Sequence, residues 1–445
     1  MIQTIKNLYL TNRFFLLFGG IIALFCLSFA VQILFPLVQA LLIVAVVIVL
    51  IDVILLFNRN FEVTGKRQVP KIFSLGDENP ITLSFESKSN LPVHLTIIDE
   101  LPEQFQERDF SLKVFFSNKK KARLAKYNLR PTTRGEYQFG HANAFAATQI
   151  GLIQRRFQIA EPQIVSVYPS VQQMKKYELK AMQRISHFQG IKKIRRLGHS
   201  YEFEQIKNYV KGDDYRSVNW KATGRRSELM VNQYEDERAQ QVYVVIDKSR
   251  VMKMPFEGMN LLDYAINSGL VITNIALQKH DKAGLLTFSD KMGTVIRAER
   301  NPVQLRKIIT ALYNEKERHF EANYELLYYA SRSVIKGRSL ILLYTNFESM
   351  YAMERVLPIL RKINRLHLLV VIFFENTEIA DFIEGKADDT ESIYIQTVAR
   401  GFITEKRQIV STLRKYGIQT ILTRPEDLSV NTVNKYLELK SRGMI

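Results

Sequence analysis

Between Phe14 and Phe57 the chain carries a single charged residue, Asp52. A run that long and that apolar either crosses a bilayer or is buried on every side. It divides at Pro36, giving residues 14–35 and 37–57, each close to the ~20 residues that a helix needs to span ~30 Å of hydrocarbon. A cleaved signal peptide fits less well. The first stretch exceeds the ~7–15 residues of a signal core, and no small-residue cleavage site follows it. The sequence therefore predicts a hairpin of two transmembrane helices. Lys6 and Arg13 precede the first, Arg59, Lys66, Arg67 and Lys71 follow the second, and the turn between has no positive charge. Because Lys and Arg gather on the cytoplasmic side, both ends and everything beyond them are expected in the cytoplasm. Asp52 is expected to reach the interface or to bond the other helix.

The remaining chain is long enough for two or three domains within its 445 residues. With 47% hydrophobic and 24% charged residues it has globular composition. The one cysteine, Cys26, lies inside the apolar run, which excludes an intrachain disulfide, a cysteine metal cluster and an accessible thiol nucleophile. The formal net charge of +18 admits three readings: nucleic acid, an acidic protein partner or an anionic lipid surface. A membrane-anchored chain favours the lipid surface, and no nucleic-acid-binding motif supports the first.

Residues 58–165 read as strands. ITLSFES (81–87) and VHLTIID (93–99) alternate apolar and polar residues between turn signals, as in an antiparallel β-sandwich. Lys119-Lys120-Lys121 falls between two strands and reads as a solvated hairpin end. Residues 166–240 form a connector rich in charge and aromatics. From Gln241 to the end, continuous apolar strands alternate with helices, the pattern of a parallel sheet covered on both faces. The expected architecture is a helical anchor (1–57), an all-β sandwich, a connector and an α/β domain (241–445).

Two segments carry the chemical information. Asp247 and Ser249 follow the first strand of the α/β domain, where open sheets bind ligands. A carboxylate and a hydroxyl two residues apart suit a hard cation such as Mg²⁺. The stretch from Tyr201 to Asp236 holds the only tryptophan, Trp220, among many charges. Its bland reading is a structural collar, with Trp220 packed on the sheet and Arg216 paired with Asp213 or Asp214.

That stretch resembles the signature of the bacterial family called domain of unknown function fifty-eight. The matching positions are Glu202-Phe203, Tyr209-Val210, Gly212-Asp213-Asp214, Arg216 and Val218-Asn219-Trp220-Lys221. Ser74-Leu75-Gly76, the Arg134–Gly140 stretch and Val167-Tyr168-Pro169 extend the resemblance. It implies a membrane-anchored chain at the bacterial plasma membrane, a von Willebrand factor A-like (Rossmann-like) fold after the signature, and association with MoxR-type AAA+ ATPases. Such domains often carry a metal-ion-dependent adhesion site of pattern Asp-x-Ser-x-Ser, a Thr on a later loop, and an Asp after the fourth strand. Here Asp247 and Ser249 match, Val251 replaces the second Ser, Asn346 replaces the second acid, and Phe320–Asn323 offers no Thr. Mg²⁺ binding is therefore expected to be weak or absent. Where the family has Asp-Pro-Phe-Gly, this chain has Thr148-Gln149-Ile150-Gly151.

With no Walker loop, nucleophile elbow or His-Glu-x-x-His, an enzyme is not expected. A metal-assisted hydrolase at Asp247 is the residual alternative, and a basic membrane-surface or nucleic-acid binder is another. The leading expectation is a cytoplasm-facing scaffold that binds a partner protein, by resemblance a MoxR-type ATPase.

Overall fold

A short strand, β1 (Leu8–Leu10), runs into Thr11, whose hydroxyl caps the next helix by accepting the amide of Phe14 at 3.4 Å. That helix, α1, spans Asn12–Ala30. A second, α2, spans Phe35–Leu56 and begins with Pro36 in its first turn, where the missing N–H costs nothing. At 1.5 Å per residue they are about 28 and 33 Å long. Both are long and apolar enough to cross a membrane, and their side chains are largely exposed. They pack on each other through Ile21, Val38 and Ala45.

This computed structural model describes residues 7–58, 61–88, 92–117, 122–170, 172–175, 202–211, 213–226, 228–235, 240–385 and 389–444. Lys119–Lys121 and the basic pairs near Lys192 and Arg195 lie outside them. The chain divides into two units, Met1–Tyr168 and Pro169–Ile445.

In the first unit ten further strands follow the helices: β2 (Val63–Gln68), β3 (Ile72–Ser74), β4 (Asn79–Ser87), β5 (Val93–Asp99), β6 (Ser111–Phe116), β7 (Ala122–Leu129), β8 (Gly135–Phe139), β9 (Ala142–Ala147), β10 (Ile153–Ala160) and β11 (Gln163–Tyr168). They form sheets of order β1-β10-β9-β5-β6, β2-β4-β7 and β3-β11-β8. Alternate residues Ile81, Leu83 and Phe85 of β4 are fully buried. Leu83 and Phe85 share one core with Leu95 and Ile97 of β5 and with Ala144 and Ala146 of β9.

The helices are joined to these strands by polar contacts. Asp52 is fully buried. Its carboxylate accepts the Thr148 hydroxyl and the backbone amides of Leu152 and Ile153, both at 3.1 Å. Thr11 Oγ1 lies 2.8 Å from the carbonyl of Gly151, and Arg155 donates to the carbonyl of Leu56 at 2.9 Å. This corrects the expectation that Asp52 bonds the other helix: its partners lie in and just after the β9–β10 loop. That loop is Thr148-Gln149-Ile150-Gly151, the segment that departs from the family pattern.

The second unit opens with a hairpin, β12 (Glu202–Asn208) and β13 (Met230–Glu235), enclosing a short helix α3 (Trp220–Arg226). β14 (Gln241–Asp247) then starts an α/β sheet. After it come short strands β15 (Pro255–Phe256) and β16 (Met259–Asn260), helix α4 (Leu261–Gln278), β17 (Lys282–Phe288), β18 (Met292–Glu299), α5 (Gln304–Asn314), α6 (Tyr324–Val334), β19 (Leu340–Tyr344), α7 (Met350–Leu366), β20 (Leu368–Phe374), α8 (Thr377–Glu384), α9 (Thr390–Lys415), β21 (Gln419–Thr423) and α10 (Leu428–Ser441). The strand order is β18-β17-β14-β19-β20-β21. All pairs are parallel except the antiparallel edge β17–β18.

Strand periodicity divides β14 between two cores. Val242, Val244 and Ile246 pack under α4, α5 and α10. Tyr243 and Val245 pack under α6, α7 and α9. The chain leaves β14 first to one side and later to the other, so strand order reverses between β14 and β19. Open α/β sheets bind ligands outside the carboxyl ends of the strands at such a switch point.

Candidate functional site

Asp247 is the last residue of β14 and Thr345 directly follows β19, so both sit at the switch point. Asp247 is fully buried. Its Oδ1 accepts the Ser249 amide at 2.9 Å and its Oδ2 accepts the Thr345 hydroxyl at 2.8 Å. The Tyr324 hydroxyl, from the first turn of α6, lies 2.8 Å from Thr345 Oγ1. With Asp247 ionised, Thr345 must donate to it, so Tyr324 donates to Thr345. Burial raises the Asp247 carboxyl above the ordinary carboxylate range, although the hydrogen bonds from Ser249 and Thr345 oppose the rise. Burial and then the Asp247 charge push the Tyr324 hydroxyl well above its usual value, so it stays protonated.

Ser249 Oγ is buried without a hydrogen-bond partner. It borders a cavity of about 60 Å³ shared with Asp247, Tyr324 and Asn346. Val251 stands half-buried on the same rim. Arg250 and Arg355 cover the mouth, both paired with Glu321, at 3.3 and 2.9 Å.

The resemblance implies a divalent cation here, and the donor set does not suit one. Asp247 is the only buried carboxylate among the described residues that line the cavity, its two oxygens already accept hydrogen bonds, and two guanidiniums flank the entrance. Asn346 is not aimed as a ligand: its Oδ1 accepts the Lys406 ammonium at 2.8 Å. Among the described residues no group of three His, Cys, Asp or Glu side chains could hold a metal. Sequence spacing did not reveal the hydroxyl chain that ends on Asp247, in which Thr345 donates to the carboxylate and Tyr324, on a separate element, stands next to Thr345.

The signature residues form a different surface. Asp213 accepts Lys207 at 2.9 Å and the Val210 amide at 3.0 Å, which hold its carboxyl below the ordinary range. Asp214 accepts the backbone amide of Arg216, not its guanidinium, which lies over the Tyr215 ring. Asn219 accepts the Ala222 amide at 3.0 Å and donates to Asn232 at 2.8 Å. Trp220 is 73% exposed, as is Tyr215 at 71%. The collar reading thus fails in two particulars: Trp220 is not packed on the sheet, and Arg216 does not ion-pair with either aspartate. Lys221 is half-exposed or more beside Trp220. Glu202 lies in β12, and its side chain, like all of Gly212, is outside the described residues.

A family model described as "Protein of unknown function DUF58" matches residues 205–379, a span holding most of the hairpin, Asp247 and Thr345. The uncharacterized protein YeaD of Bacillus subtilis (strain 168) is 26% identical over 196 residues, covering 43% of this chain and 48% of YeaD. The chain therefore matches about half the length of that relative. Among solved structures, the CARDB domain of a Pyrococcus furiosus protein covers 24% of this chain and 90% of its own, at 12% identity and TM-score 0.17. Proximal thread matrix protein 1 of the mussel byssus covers 45% of each chain, at 13% identity and TM-score 0.27. Likenesses that slight carry no argument.

Proposed function

We propose that this chain is a membrane-anchored, cytoplasm-facing scaffold of the bacterial plasma membrane. It binds a partner protein through a von Willebrand factor A-like domain and works with a MoxR-type AAA+ ATPase. The observation that supports this most is Asp247 at the switch point of a sheet ordered β18-β17-β14-β19-β20-β21. A recognition site belongs there, and its carboxylate is committed to hydrogen bonds rather than open for catalysis. The partner meets a rim of alternating charge, Arg250, Glu321 and Arg355, and an exposed aromatic surface at Tyr215 and Trp220. Exposed tryptophan and arginine are the residues that most often anchor protein interfaces. In this reading α1 and α2 cross the bilayer, the surplus of Lys and Arg faces anionic lipid, and Mg²⁺ is not required.

The test is affinity capture of the full chain from native membranes, comparing wild type with Arg355→Glu and Trp220→Ala. An AAA+ ATPase should be recovered with wild type and at least tenfold less with one of the variants. Equal recovery from both variants, or no ATPase with wild type, sinks the proposal.

A further inference from the structure

Beyond the Asp247 site, a second and larger cavity of about 440 Å³ opens at the carboxyl ends of β19, β20 and β21. Its size falls within the range of small-molecule sites, ~300–1,000 Å³. Phe256, Leu261, Phe374, Ile403 and Leu422 make its walls mainly apolar. Polar side chains also line it, and of its cations Lys406 is half-buried while Arg407 and Arg424 are exposed. Lys406 stands on α9 one turn after Ile403 and one turn before the buried Ile409, on the stripe that faces the sheet.

The Lys406 amine donates to Asn346 Oδ1 at 2.8 Å and to the carbonyl of Phe347. Both acceptors are neutral. No carboxylate lies within ion-pairing distance of it among the described residues. Burial lowers it to about 8 from the usual 10.5, against the opposing pull of Glu348 and Glu405. An amine nitrogen has three substituent positions beyond its own carbon. Two are directed at Asn346 and Phe347, which leaves the third for the cavity that Lys406 lines. In the neutral amine that position holds the lone pair.

We propose that this cavity binds small apolar carbonyl compounds, aldehydes or ketones, and that the Lys406 amine captures them as imines. The nitrogen lone pair forms a bond to the carbonyl carbon. The carbonyl oxygen takes up two protons, both of them formerly on the nitrogen and relayed through solvent, and leaves as water. The product is a C=N bond, with no oxidant or reductant needed. The mainly apolar walls favour an alkyl aldehyde or ketone over a small charged one, since the lining charges come in both signs, Glu348, Glu375 and Glu405 against Arg407 and Arg424. Desolvated lysines in apolar pockets are the usual imine formers. The proposal does not depend on the scaffold reading.

The test treats the full chain in detergent with hexanal at pH 7.5 and traps imines with cyanoborohydride, followed by peptide mapping. Glyoxylate, a small charged aldehyde, serves as the comparison. Lys406 should be alkylated by hexanal about tenfold or more faster than exposed lysines, and its preference for hexanal over glyoxylate should exceed theirs. Ile403→Trp, which fills the cavity and leaves Lys406 in place, should remove that advantage. Lys406 reacting no faster than surface lysines overturns the proposal. Rapid labelling with no preference for hexanal overturns it as well, since the cavity then contributes nothing. Both outcomes are read on the wild-type chain, so neither depends on a variant that folds.

Discussion

Asp247 is held by two hydrogen bonds inside a site that disfavours its charge, and these two effects have opposite pH signatures. Its folded value lies above that of the unfolded chain, so the folded state binds the proton more tightly. Stability is then fully present below the ordinary carboxylate value and falls as pH rises through the window up to the raised value. Asp247→Asn removes the titration and keeps an oxygen for the Ser249 amide, but its N–H₂ must donate to the Thr345 hydroxyl, which then donates to Tyr324 and leaves the Tyr324 proton without its acceptor. That mismatch costs roughly 1–3 kcal/mol. The variant should therefore be less stable than wild type near pH 4, and the gap should shrink towards pH 7. Calorimetry across that range decides it, and a gap that widens with pH contradicts the account. Asp247 was legible in the sequence because it ends an unbroken apolar strand, a position with known consequences. Tyr324 was not, because nothing local marks a tyrosine that meets an aspartate from another element. Lys406 could have been found: a lysine on the apolar stripe of an amphipathic helix is a local anomaly.

At the scale of elements, packing between α4 and β14 can be tested at Gly269. Replacing a mid-helix glycine with alanine is worth up to about 1 kcal/mol in helix propensity. Here the new Cβ would lie 2.8 Å from Val244 Cγ1, between two fully buried elements. Overpacking of that kind costs about 1–3 kcal/mol, so the clash wins and Gly269→Ala should destabilise the second unit by about 1 kcal/mol. Adding Val244→Ala should recover part of the loss, measured as coupling in a double-mutant cycle. Purely additive losses would show that the close approach is not the cause. The central strands of this sheet were readable because both their faces are buried, which leaves continuous apolar runs. The elements missed were those without such a run. β18 is an edge strand whose residues are mostly half-buried or exposed. α7 carries Pro358 in its interior, which breaks the helical signal. β1 has three residues and finds its register with Leu8 opposite Arg155, a pairing no local pattern can announce.

Across the whole molecule, the sequence suggests cutting the chain after the apolar run, and the first unit argues against it. Leu56 is fully buried in the core that Leu83, Phe85 and Leu95 build, with Leu8, Val49, Val53 and Phe57 packed against it. Asp52 adds three hydrogen bonds in and just after the β9–β10 loop, and β1 covers the edge of β10. A chain that starts at Asn58 loses all of these. Removal of one buried leucine costs about 2–5 kcal/mol, and the bonds of Asp52 add about 1 kcal/mol each. The sum approaches the ~5–15 kcal/mol that holds a typical domain together. The exposed edge of β10 also becomes a template for strand pairing between chains. The second unit keeps both of its core clusters within Pro169–Ile445. A fragment starting at Asn58 should thus aggregate or melt in two steps, with the first unit failing at the lower temperature. A fragment starting at Pro169 should unfold in one step, at the temperature of the upper transition. Calorimetry of the two fragments beside the full chain in detergent reads this directly. One cooperative transition at the full chain's temperature in the Asn58 fragment would show that the apolar helices only tether the strands and do not complete their core.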